Sequence, residues 1–126
     1  MTAAAVIAVV LLAVIGVFQI ALALGAPLGS AAWSGQHEGV LPIPLRIASG
    51  VAAVVVYPLI IIYVLAASGL VDLDWMPIRS LGMWVLTAFF GIGAVVNLAS
   101  RSRVERLWAP VSLVIAVCCA IIALGM

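Results

Sequence analysis

The sequence predicts an all-α polytopic membrane protein: four transmembrane helices in an up-down bundle, with both termini on the non-cytoplasmic side. Three observations predict it. Hydrophobic residues make up 68% of the 126 and charged residues only 7%. A soluble domain carries roughly 25% charged residues, so lipid must solvate the outer surface here. Four apolar runs are each close to the about 20 residues that a helix needs to cross a bilayer core. Finally, these runs do not alternate in polarity and are about twice as long as a barrel strand, which excludes strands.

Taken in order, the helices are expected at about residues 2–25, 45–68, 78–99 and 107–125, all in one transmembrane domain spanning 1–126. The first run, Thr2 to Gly25, lacks a positive leading segment and exceeds the roughly 7–15 apolar residues of a signal peptide, so it reads as a permanent helix. The second starts between Ile43 and Arg46 and ends near Ser68. Pro58 lies near its middle, where it cannot donate to Val54 and should kink the helix. The third run, Ile78 to Ala99, carries a strip of small residues, Ala88, Gly91, Gly93 and Ala94, suited to close packing. The fourth, Leu107 to Gly125, contains the adjacent pair Cys118 and Cys119, which has no metal-ligand spacing and reads as two buried small hydrophobes.

The connectors fit this partition. Residues 26–42 and their flanks are dense in helix breakers, among them Gly25, Pro27, Gly29, Gly35, Gly39, Pro42 and Pro44. Gly69 to Pro77 places Asp72 and Asp74 near the positive end of the third helix. Connector three is the polar run Ser100 to Arg106. The five basic residues are all arginine. Arg46, Arg101, Arg103 and Arg106 belong to connectors one and three, against Arg79 on the other side. The positive-inside rule then puts those connectors in the cytoplasm. Trp33 and Trp108 are expected at that interface and Trp75 and Trp84 at the other, as an aromatic belt with no further role.

One end of this bundle gathers the polar residues. Gln19 lies about 9 Å inside the cytoplasmic end of helix one at 1.5 Å per residue. Asn97 occupies the last turn of helix three, Arg46 opens helix two, and His37 and Glu38 sit on the first connector. Two accounts stay open at this stage. In one, the end is a solvated rim of snorkelling arginines, with Arg101 and Glu105 paired four residues apart and Gln19 and Asn97 as interhelical glue. In the other, connector one, longer than the roughly 12–15 residues typical of featureless loops, folds back into the bundle mouth. It then brings His37 and Glu38 towards Gln19, Arg46, Asn97 and Arg101 as a ligand-binding site.

The net charge of +1 and the absence of clustered lysine argue against nucleic acid as a partner. No nucleophile elbow, HExxH, P-loop or dinucleotide fingerprint occurs, so no enzyme and no catalytic residue is expected. With a single histidine, neither a haem nor a metal site is expected, and no cofactor.

The runs Leu24-Gly25-Ala26-Pro27-Leu28-Gly29, Ala32-Trp33-Ser34-Gly35-Gln36-His37-Glu38-Gly39 and Leu45-Arg46-Ile47-Ala48-Ser49 resemble a family of small uncharacterised bacterial integral membrane proteins. So does Asn97-Leu98-Ala99-Ser100-Arg101-Ser102 with Glu105, Arg106 and Pro110. The resemblance implies the four-helix plan and no particular activity. Small multidrug transporters and dual-topology fluoride channels share only the four-helix size. The function expected from the sequence is a binding or transport-type module with its site at the cytoplasmic mouth, alone or as a homo-oligomer. The alternative is a structural or accessory subunit of a larger membrane complex.

Overall fold

The computed structural model describes residues 1–73 and 79–126, with Ser34 described by its backbone alone. Expectations placed on Asp74, Trp75 and Ile78 lie outside the described residues. Four helices are long and apolar enough to cross a membrane: α1 (Thr2–Ala23), α2 (Ile43–Ala67), α3 (Arg79–Leu98) and α4 (Arg103–Leu124). At 1.5 Å per residue, the 22 residues of α1 span about 33 Å. Each run forms helix because lipid offers no partner for backbone N–H and C=O groups, which a helix satisfies internally.

Local sequence sets the ends. Past Ala23, the Ala26 N–H turns back to the Ala21 carbonyl (2.9 Å) and that of Gly25 to Leu22 (3.1 Å). This is the double closure that ends many helices. Arg46 Nε donates to the Ala23 carbonyl at 3.1 Å, so a cation from α2 caps the negative end of α1. Helix α2 starts after the extended residue Pro42, with Pro44 in the first turn, where a missing N–H costs little.

The expected Pro58 kink takes a specific form. Residues Ala52–Val56 make a π turn, and the Tyr57 N–H reaches back five residues to Ala52. One extra residue in the turn thus lies just before the proline, where the ordinary ladder loses a donor.

The last helix begins at Arg103, four residues earlier than Leu107. Ser102 is its N-cap, its Oγ accepting from the Glu105 N–H at 3.3 Å. The first turn, Arg103–Arg106, passes through Leu107 into Trp108–Leu124. The break falls where Pro110 can offer no N–H to the Arg106 carbonyl.

Helices α3 and α4 share the most extensive interface, and α1 packs against both α2 and α4, whereas α2 and α3 touch only lightly. Both termini lie at one end, because a Cβ on Gly125 would collide with the Met1 side chain. Connectors one and three meet at the other end. The termini half is a continuous core. Ala4, Ala8 and Leu12 form one stripe of α1, buried with Ile115, Cys119 and Ile122 of α4, Val64 of α2 and Met83 of α3. Both cysteines are free and buried, as the apolar reading of that pair expects. Of the small-residue strip, Ala94 is buried and Gly93 approaches Ser112 of α4, while a Cβ on Gly91 would meet nothing within 4 Å.

Candidate functional site

Connector one lies across the bundle end as an ordered roof. It is built from two single turns of 3-10 helix, Gly29–Ala31 and Trp33–Gly35. The Gly29 N–H donates to the Gly39 carbonyl at 2.8 Å. A Cβ at position 29 would stand 2.5 Å from the His37 carbonyl oxygen and 2.7 Å from that of Gly39, so two backbone strands can meet there only at a glycine. Gly35 has φ +66° and faces the Ser102 Cβ, which binds the roof to the start of α4.

Side chains complete the attachment. Trp108 Nε1 donates to the Ala31 carbonyl (3.0 Å), Trp33 Nε1 to the fully buried Ser49 Oγ (3.1 Å), and Ser102 Oγ to the Ser30 carbonyl. Ala32 and Leu41 pack on Leu22, with Phe18 and Leu45 around them. Trp33 has φ +51°, a left-handed conformation that costs a bulky residue on the order of 1–3 kcal/mol and that its neighbours must hold.

Beneath the roof lies a cavity of about 400 Å³. Phe18 and Gln19 come from α1, Ala52, Val56 and Tyr57 from the π-turn region of α2, Phe89, Phe90, Gly93 and Asn97 from α3, and Glu105, Trp108 and Ser112 from α4. Ala31, Ala32 and Trp33 close the top. Its aromatic walls include a Phe18–Trp108 contact with ring centroids 4.9 Å apart and an edge-to-face Phe89–Phe90 pair at 5.2 Å. Two buried oxygens in this wall, Gln19 Oε1 and Glu105 Oε2, have no hydrogen-bond partner. Glu105 is only 4% exposed. Asn97 Nδ2 reaches Ser112 Oγ at 3.5 Å, at the outer limit of a hydrogen bond. Among the described residues the wall contains one carboxylate and no arginine or histidine, and no three His, Cys, Asp or Glu side chains group as metal ligands.

The expected site residues separate. Gln19 and Asn97 share the cavity wall. Arg46 ties α2 to the end of α1. His37, Glu38 and Arg101 are not in the wall, and Glu38 and Arg101 are exposed. The pinch between Gly29 and the 37–39 backbone lies among residues that do not line the cavity. The expected Arg101–Glu105 pair is also corrected, because Arg101 precedes the helix and is exposed while Glu105 turns inward. Trp33 and Trp108, expected only as interfacial anchors, hold the roof through their indole N–H groups.

The residue missing from the expected set is Glu105. Its signal was the spacing Ser102-x-x-Glu105, the pattern of a capping box. Only half of that box forms. The Ser102 N–H goes to Ser100 Oγ at 3.2 Å instead, so the Glu105 carboxylate does not close the box, and Glu105 is a residue of the cavity wall. Searches against protein-family models, curated proteins and solved structures each return no match to this chain.

Proposed function

We propose that the chain is a small binding or transport-type module of a bacterial inner membrane. Its ligand occupies the roofed cavity, with Gln19, Asn97, Glu105 and Ser112 as the polar contacts. The observation that carries this is a pair of buried oxygens without partners, Gln19 Oε1 and Glu105 Oε2, on two residues that line the cavity. A buried polar group left unpaired costs about 1–3 kcal/mol, so a wall built with two of them is built for something that enters. The π turn and the left-handed Trp33 at the same cavity support it, since both kinds of irregularity concentrate at functional sites.

Native mass measurement on protein released from mild detergent tests this. A bound non-protein mass is expected on the wild type and absent from the Gln19→Leu/Asn97→Leu double variant. Protein that carries no added mass before and after incubation with a membrane extract overturns it.

The arginines set the orientation, with connectors one and three in the cytoplasm and both termini outside. A Gln36→Cys variant should resist an impermeant maleimide in intact cells, and Asp72→Cys should react. The native cysteines are buried and silent.

The runner-up is an accessory subunit docked through the outer face of the same end. Glu38, Arg101, Arg103 and Arg106 are exposed there, with no ion pair among the described residues. A stoichiometric partner retained in mild detergent would favour that role.

A further inference from the structure

Resting on the reading of the cavity as a ligand site, we infer that its ligand is a protonated amine with an apolar, aromatic-sized body. Both orphaned wall atoms, Gln19 Oε1 and Glu105 Oε2, are acceptors, so what is missing is a donor. One of them belongs to a carboxylate that is 4% exposed, and no cationic side chain of the described residues shares the wall. A buried carboxylate without a counter-charge is costly, and a ligand bearing N⁺–H satisfies charge and hydrogen bond together. An anion would find no positive partner in this wall, and a neutral hydrocarbon would leave both acceptors unpaired.

The remaining surface agrees. All three phenylalanines of the chain and two of its four tryptophans line this one cavity. Aromatic faces attract an ammonium through the ring quadrupole and bury the apolar body attached to it. Gln19 and Glu105 come from different helices, α1 and α4, so an ammonium held by both would bridge the roofed end of the bundle.

The test compares three probes of similar shape on protein in lipid nanodiscs, with empty nanodiscs subtracting partition into lipid. They are 2-phenylethylammonium, which has charge and donors, 2-phenylethanol, which has a donor alone, and propylbenzene, which has neither. Wild type should bind the ammonium about tenfold more tightly than the alcohol, with propylbenzene weakest. Glu105→Gln should cut ammonium affinity about tenfold and leave the alcohol nearly unchanged. Glu105→Asp keeps the charge and should keep the order of preference. Gln19→Leu provides a second variant should Glu105→Gln fail to fold, and about a threefold loss of ammonium affinity is expected.

Two outcomes overturn the assignment while leaving a binding site in place: propylbenzene binding as tightly as the ammonium, or Glu105→Gln and Gln19→Leu both leaving ammonium affinity unchanged. If none of the three probes binds and the wild type carries no native mass, the ligand-site reading itself falls, and the amine with it.

Discussion

The two ends of this bundle are made of the same four helices and solve opposite problems. At the termini end, Ala4, Ala8 and Leu12 let α1 approach α4 closely, and Leu12, Met83, Ile115, Cys119 and Ile122 are all fully buried. At the connector end the helices stand apart around about 400 Å³ and leave polar atoms unpaired. In lipid, helix association depends on close packing more than on expulsion from water. The dry half therefore supplies stability, and the open half gives some of it up to a cavity and its unpaired polar atoms. The lesson is that the sign of a substitution's effect should depend on which half it falls in.

The largest effect is expected from Leu12→Ala, which leaves a void in the dry half. A loss of about 3 kcal/mol should appear in detergent-titrated unfolding, with ligand occupancy of the folded fraction unchanged. Loss of occupancy without loss of stability would erase the division between the halves. Next, Gly29→Ala forces a Cβ against two backbone carbonyls. About 2 kcal/mol of destabilisation is expected, visible as faster hydrogen exchange over residues 26–42 while the α1 and α4 cores stay protected. Uniform acceleration along the chain would mean that the roof and the core unfold as one.

A change of sign is expected at Gln19→Leu. Removing an unpaired acceptor should stabilise the protein by about 1 kcal/mol while weakening ammonium binding about threefold. A destabilised variant would show that Gln19 is satisfied in the resting protein and that the two halves respond alike to substitution. The smallest effect is expected from Trp33→Phe, which keeps the ring and removes the donor to Ser49. About 0.5–1 kcal/mol should be lost, read as exchange in connector one alone. No change at all would assign the roof's hold to Trp108 and Ser102.

How much of this was legible in the sequence follows from which forces act locally. The four spans follow from hydropathy because lipid enforces them residue by residue, and the length and apolar content of connector one pointed to a segment that folds back. Gln19 and Asn97 were readable as polar groups inside apolar runs. Glu105 was not, because its direction depends on where α4 starts and on Ser100 taking the Ser102 N–H, a choice between two serines that spacing does not settle. That His37 and Glu38 stay out of the cavity wall was not readable for a related reason: the close pass of Gly29 against the backbone of residues 37–39 is a tertiary contact. Trp33 and Trp108 fit the composition of an interfacial belt equally well whichever way their indoles point. Pro58 announced an irregularity without saying that it would be a π turn.

The light contact between α2 and α3 has a consequence for how such a site is filled. Val56, Phe89 and Val96 line the cavity yet are 43%, 61% and 54% exposed, so the opening faces sideways, towards acyl chains. A ligand arriving by that door is counted by its mole fraction among lipids. For amines of equal contact energy, apparent affinity measured from water would then follow the membrane partition coefficient, and the bilayer itself acts as the first stage of selection.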